Sequence, residues 1–252
     1  MDPAEYRTMY AVEDRHWWYA GMRRITLEVL GALYPDRTDL RILDAGCGTG
    51  AAMSYMSRFG SVTGCDLSPL ALEFCAVRKL AIVQQASVTA LPYAGEQFDL
   101  VTSFDVLYHQ AVDDTNAALR EFYRVLVPGG RVMLRLPAYD WLRGRHDEVI
   151  HTARRFTAGQ VANLLHENGF TVERASYANT LLFPLALGKR LLEQERTLPV
   201  GTHSDITANP PWLDALLTPV LGLEGRWLRR HDLPFGLTVL AVGIRPTTKA
   251  GS

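Results

Sequence analysis

Three cysteines in 252 residues are too few and too scattered to staple a fold. Cys47, Cys65 and Cys75 form no Cys-x-x-Cys pair, so neither a secreted disulfide framework nor a zinc ribbon is indicated, and a reducing cytoplasm is the expected home. Excess charge is also missing: 26 basic against 27 acidic side chains leave a net charge of -1. Nucleic-acid binding needs a basic face that neutralises phosphates, so nucleic acid is not expected as a partner. No uninterrupted apolar run reaches the ~18 residues of a membrane span, and the polar first residues carry no signal-peptide pattern. Internal repeats are absent as well. What remains is an ordinary globular composition, 48% hydrophobic, long enough for one decorated α/β domain with a sizeable core.

The most informative stretch is Ile42-Leu43-Asp44-Ala45-Gly46-Cys47-Gly48-Thr49-Gly50. It reads as a buried strand that ends in an acid and then a three-glycine turn. Only glycine combines positive φ with close backbone approach to a ligand, so this is a nucleotide-cofactor loop. Gly46-x-Gly48-x-x-Ala51, with Asp66 further on, also satisfies a dinucleotide fingerprint. A dinucleotide, however, sets its pyrophosphate on the helix N-terminus, where the Asp44 carboxylate would oppose it. An acid there suits a ligand that brings a cation and no phosphate, such as the ammonium of S-adenosylmethionine (SAM).

Further along, Ser61-Val62-Thr63-Gly64-Cys65-Asp66 reads as a second strand ending in an acid. An ionised carboxylate offers two acceptor oxygens, so Asp66 can take both hydroxyls of a ribose. Ser68 and Pro69 are expected as N-cap and first residue of the next helix. Strand and helix patterns then alternate: strands near 40–45, 61–66, 80–84, 98–103 and 131–136, and helices near 50–58, 69–78, 113–126 and 157–168. Strands near 171–177 and 236–244 bring the count to seven. Such alternation predicts a parallel sheet with right-handed crossovers, and Asp44, Asp66, Ser103 and Asp105 fall at strand ends bordering one crevice.

Together with Ala90-Leu91-Pro92, Gln97-Phe98-Asp99-Leu100-Val101-Thr102-Ser103 and Arg124-Val125-Leu126-Val127-Pro128-Gly129-Gly130-Arg131-Val132, the chain resembles the class I SAM-dependent methyltransferases. The nearest pattern is that of small-molecule enzymes like those of quinone biosynthesis, and the likeness runs from about Ile42 to about Phe170. It implies an α/β, Rossmann-like, doubly wound seven-stranded sheet, mostly parallel, with an antiparallel last strand. It also implies SAM as cofactor, S-adenosyl-L-homocysteine as product, and no metal. The expected organisation is a helical leader over 1–38, a cofactor-binding core over 39–180, a helical insertion over 181–232, a final core strand over 233–246 and a tail over 247–252.

The resemblance carries Asp44, Gly46, Gly48 and Asp66 over as cofactor-binding residues, with Cys47 inside the same loop. Leu67 is expected beside the ribose or adenine, and Phe104 near the methionine moiety. Ser87-Val88 stands where the family often has an acid and a small residue, so the adenine amine loses one partner while Val88 can still stack. His109 occupies a place where the family often has a substrate-facing histidine, and its ordinary pKa suits a general base. Capping of the following turn is the competing role. Tyr108 and His146 are further base candidates.

In the leader, Glu13-Asp14-Arg15-His16-Trp17-Trp18-Tyr19 and Arg23-Arg24 are unusual. Adjacent tryptophans build an aromatic wall that also attracts a sulfonium, so Trp17, Trp18 and Tyr19 are expected at the substrate and Arg23 at the methionine carboxylate. His151 and Arg154 are substrate candidates from the loop after the fifth strand, with the anion contact open between Arg154 and Arg155. His146 and His151 lie five apart, off the shared-face spacing, so metal binding is not expected. The insertion has two apolar helical patterns, Leu181–Leu192 and Trp212–Trp227, flanked by Lys189, Arg190, Arg226, Arg229 and Arg230. It reads first as a cap packed on its own core, and otherwise as a substrate lid, a homodimer surface or a peripheral membrane contact. Three rivals remain to a methyltransferase of a small, partly apolar acceptor. One is an NAD(P)-linked oxidoreductase, another is a protein that binds SAM without turnover, and the third is a methyltransferase fold acting on a lipid-linked substrate at the membrane.

Overall fold

The computed structural model describes residues 3–80, 82–144, 147, 152–185, 187, 188 and 210–247. Its centre is one sheet of seven strands: β1 (Leu40–Ala45), β2 (Gly60–Asp66), β3 (Val83–Gln85), β4 (Phe98–Phe104), β5 (Leu126–Pro137), β6 (Thr171–Ala178) and β7 (Thr238–Ile244). Their spatial order is β3-β2-β1-β4-β5-β7-β6. The strand pairs from β3 to β5 are parallel, and β7 runs antiparallel to both of its neighbours. The seven-stranded α/β sheet with an antiparallel last strand is therefore the observed architecture. Its order reverses between β1 and β4, and ligands of such sheets bind at that switch point.

Side-chain alternation divides the core between the two faces. Leu43, Val101, Val132, Leu134 and Ala241 pack with α5 (Thr115–Val125) and α6 (Ala158–Glu167), whose Leu119, Phe122, Val161 and Leu165 are buried. Ile42, Leu100, Met133, Leu240 and Val242 face the other way, towards α2 (Trp17–Leu33) and α7 (Pro211–Leu228). A buried phenylalanine such as Phe122, 0% exposed, is worth about 3–5 kcal/mol against alanine. The leader's α2 and the insertion's α7 lie unusually close. A Cβ on Gly21 would stand 2.2 Å from the Leu221 Cδ1, and one on Gly225 would stand 3.2 Å from the Ile25 Cα. Ahead of α2 lies α1 (Pro3–Val12); α3 (Ala51–Met56) and α4 (Pro69–Val77) follow the first two strands.

Boundaries differ from the sequence expectation where local chemistry overrides periodicity. Helix α3 begins at Ala51 because its N-cap, Gly50, sits at φ 82. Helix α5 begins at Thr115 because the Asp114 carboxylate accepts the Asn116 N–H at 2.8 Å. At α4 the Ser68 side chain makes no cap; its N–H instead donates to the Asp66 Oδ1 at 2.9 Å. Thr157 does cap α6, within a capping box closed by Gln160. The third strand is Val83–Gln85, later than expected, and β5 starts at Leu126 rather than near 131.

Candidate active site

A cavity of about 1080 Å³ opens above the carboxyl ends of β1, β2, β4 and β5. Its floor is the glycine loop. Gly46 takes φ 83, and a Cβ there would lie 2.3 Å from the Val106 Cγ2, so no other residue fits. Asp44 ends β1 at 2% exposure. One of its oxygens accepts the Thr102 hydroxyl at 2.8 Å; the other, Oδ2, has no hydrogen-bond partner among the described residues. Burial pushes the Asp44 carboxyl up to about 6, against the Thr102 hydrogen bond and the Arg135 charge. An unsatisfied carboxylate oxygen in a dry wall is costly unless a cationic donor comes to meet it.

Asp66 ends β2 and is 9% exposed. Its Oδ2 accepts the Gly48 N–H at 2.9 Å, which ties the acid to the glycine turn. Burial raises its pKa, while the Ser68 and Gly48 N–H groups work the other way. The phenol of Tyr6 of α1 is pushed up to about 12, chiefly by burial and then by the Asp66 charge. Leu67, Ser87 and Val88 line the cavity beside Asp66. The Ser87 hydroxyl is held by Thr89, at 2.8 Å from its Oγ1. Cys47 also lines the cavity, with its sulfur 4.0 Å from that of Cys75.

The leader forms the roof. Met9 stands over the glycine loop, its Cε 3.4 Å from where a Cβ on Gly48 would be. The turn between α1 and α2 is clasped to the core by Glu13, which is 7% exposed. Glu13 accepts the Thr49 hydroxyl and an Arg78 N–H, the latter at 2.8 Å. Burial raises the Glu13 pKa; Thr49 and Arg78 oppose the rise. His16 caps α2 by accepting the Trp18 N–H at 3.2 Å, and Asp214 of α7 accepts the Trp17 N–H at 2.9 Å. Trp17, Trp18, Tyr19 and Arg23 all line the cavity, as do Leu213 and Leu217 from the cavity-facing side of α7.

On the far side Arg135 and Asp105 form an ion pair at 2.6 Å, and the Arg135 guanidinium lies 4.7 Å over the Phe104 ring. Burial works against the Arg135 charge, but Asp105, Tyr55 and Asp44 more than offset it. Tyr108 and His109 border the cavity. Burial first, then the Asp105 charge, raises the Tyr108 phenol, so it stays protonated near neutrality. The His109 Nδ1 accepts the Ala111 N–H at 3.1 Å.

The structure brings Asp44, Gly46, Cys47, Gly48, Asp66, Leu67, Ser87, Val88, Phe104, Arg23, Trp17, Trp18, Tyr19, Tyr108 and His109 to one cavity. It does not bring Arg154 there: that side chain stacks 4.9 Å over Phe156 and donates to the Thr115 hydroxyl. Its neighbour Arg155 lines the cavity instead, paired with Asp147 at 2.8 Å. His146 and His151 lie outside the described residues. Among the described residues no group of three or more His, Cys, Asp or Glu side chains is placed to hold a metal ion. Sequence reasoning gave no role to Tyr6, Glu13, Thr102 or Arg135. The arginine within the apolar run Val132-Met133-Leu134-Arg135-Leu136 was the signal available for the last of these.

A sheet of this order, with acids at the ends of β1 and β2 around a glycine loop, defines a nucleoside-cofactor protein, and the chain belongs to the class I SAM-dependent methyltransferases. The family model for the methyltransferase domain matches residues 43–134. The chain is 30% identical over 227 residues to the methyltransferase GfsG of Streptomyces halstedii, covering 81% of this chain and 73% of that one. It is 34% identical over 126 residues to a malonyl-[acyl-carrier protein] O-methyltransferase of Erwinia billingiae, 49% of each chain. The match thus spans about half the length of the first curated relatives. In fold it is similar to a SAM-dependent methyltransferase of Mesorhizobium loti (TM-score 0.56, 19% identity, 88% of this chain and 98% of that one). The residues present fit SAM: the unpartnered Asp44 oxygen suits its ammonium, the Asp66 carboxylate suits its ribose, and the glycine loop leaves room for its backbone-hugging contacts.

Proposed function

We propose that this chain transfers the methyl group of SAM to oxygen, nitrogen or carbon of a small, partly apolar acceptor. The observation that carries the reading is the Asp44 Oδ2, buried and without a described partner at the strand end that borders the cavity. SAM supplies an electrophilic methyl group on a sulfonium. The chain's own task is to align a nucleophile behind it, an orientation effect worth up to about 7–11 kcal/mol. Asp44 and Asp66 anchor the two ends of the cofactor, and Arg23 takes its carboxylate. Trp17, Trp18 and Tyr19 from the leader and Leu213 and Leu217 from α7 wall the remaining volume, which is wide enough for a second ligand.

His109 is the leading base, with Tyr108 and His146 behind it. The Ala111 contact occupies the His109 Nδ1, so the neutral ring carries its proton on Nε2. Proton abstraction therefore requires that contact to yield. The acceptor contacts at Trp17, Trp18, Tyr19 and His151 belong to the same proposal, with Arg155 rather than Arg154 as the cation at the cavity. We place the protein in the cytoplasm, in keeping with three free, buried thiols. For the insertion a substrate lid, homodimerisation and membrane contact are the proposed uses.

Incubating the protein with SAM and a panel of small phenols, amines and carboxylic acids, and following S-adenosylhomocysteine, tests the reading. Acceptor-dependent product is expected. Tight SAM binding with no product from any acceptor would identify a protein that binds the cofactor without turnover.

A further inference from the structure

Helix α7 uses its two sides differently. Inward, Leu221, Gly225 and Leu228 are buried, against α2 and the sheet. Outward, Trp212, Leu216, Leu223 and Trp227 are 66%, 58%, 57% and 55% exposed, and their spacing puts all four on one stripe. Pro219 is exposed on the same stripe. The last turn and the residues just after it add Arg226, Arg229 and Arg230, all exposed. Arg24 of α2, also exposed, lies alongside: a Cβ on Gly222 would meet its guanidinium at 3.3 Å.

The acids of this helix are turned away from that stripe. Asp214 accepts the Trp17 N–H, and Glu224, 3% exposed, accepts the Asn179 and Leu181 N–H groups at 2.6 and 2.7 Å. Glu28 meets Arg229 at 3.6 Å, which leaves the basic end with a net positive balance. The outer face is therefore tryptophan and leucine along about 27 Å of helix, ending in a cluster of arginines.

We propose that this face docks on an anionic lipid bilayer, with the α7 axis lying in the interface plane. Tryptophans favour the headgroup level, leucines the acyl boundary, and arginines the anionic headgroups. A second copy of the chain fits less well, because the stripe presents arginines while both acids of the helix are engaged elsewhere, so a partner copy would bring no acid of its own stripe to meet them. Leu213 and Leu217 of the same helix line the cavity, so a bilayer-dissolved acceptor has a short path inward. That consequence rests on the methyltransferase reading; the docking does not.

The test is co-sedimentation of the full chain with vesicles of phosphatidylcholine alone or doped with phosphatidylglycerol. Binding is expected only to the anionic vesicles and should weaken with added salt. Arg226→Gln with Arg230→Gln should weaken partition by about thirtyfold, at about fivefold per arginine. Trp212→Ser with Trp227→Ser should abolish it. S-adenosylhomocysteine affinity should hold in both variants, since none of these side chains lines the cavity. No binding to anionic vesicles, equal binding to both kinds, or variants that bind like the parent would overturn the proposal. So would lipid-free self-association abolished by the tryptophan pair, which would assign the face to a second copy. Vesicle binding without any SAM affinity would support docking and sink only the enzymatic reading.

Discussion

Replacing Asp44 by asparagine separates what the buried acid contributes to the free protein from what it does for the cofactor. In the free protein Asp44 is 2% exposed, with its carboxyl pushed from 3.8 up to about 6 by burial. Because the folded value lies above the unfolded one, this group's contribution to stability is full below pH 3.8 and is lost as pH rises through about 6. A rise of that size corresponds to about 3 kcal/mol of strain in the ionised state at pH 7. Asp44→Asn keeps an acceptor for Thr102 and removes the charge. It should therefore unfold several degrees higher, at about 2–4 °C per kcal/mol.

Cofactor binding should move the opposite way. A hydrogen bond to a charged partner is worth about 1.5–3 kcal/mol, so SAM should bind the variant about tenfold to a hundredfold more weakly. In the parent, binding needs the ionised acid, about a tenth of which remains at pH 5. The dissociation constant should thus rise about tenfold between pH 7 and pH 5. In the variant that limb should vanish, leaving only what Asp66 contributes. Thermal unfolding and calorimetric titration at several pH values read both effects. A variant that is less stable yet binds SAM as tightly, with the parent's pH profile, would refute the reasoning.

Arg135 holds the Asp44 value down, so Arg135→Met should shift the acidic limb of SAM binding to higher pH, as read in the same titrations. Glu13→Gln should unclasp the leader, with a loss of about 2 kcal/mol, below the ~3–5 of a fully buried pair because Asp14 still reaches Arg78 at 3.2 Å. Faster tryptic cleavage at Arg15 and weaker S-adenosylhomocysteine binding would show it, and unchanged proteolysis would contradict it. His109→Ala should lower turnover by about 10²–10⁴ if the ring moves a proton. His109→Asn, which preserves an acceptor for the Ala111 N–H, should regain stability and not turnover; full activity in the asparagine variant would leave His109 a turn cap alone.

The parts of this site legible in the sequence are those with a backbone reason. Gly46, Gly48 and Gly50 adopt positive φ, and strands ending in acids announce Asp44 and Asp66. The alternation of elements likewise foretold seven strands. The strand boundaries were less legible because they depend on pairing: β5 reaches back to Leu126 through a register shift against β4 between Phe98 and Leu100. Long-range partners were invisible for the same reason. The contact of Glu13 with Thr49 and the effect of the Asp66 charge on Tyr6 join residues dozens of positions apart. Adjacent Arg154 and Arg155 could not be told apart in sequence; the loop turns Arg154 onto Phe156 and presents Arg155 to the cavity.

The most direct test of the central claim is calorimetric titration of the protein with SAM, S-adenosylhomocysteine and NADH, in parallel with Asp66→Ala. The two adenosyl ligands should bind the parent, NADH should not, and the variant should lose both. Tight NADH binding with no response to SAM would return the glycine loop to a dinucleotide and contradict the account.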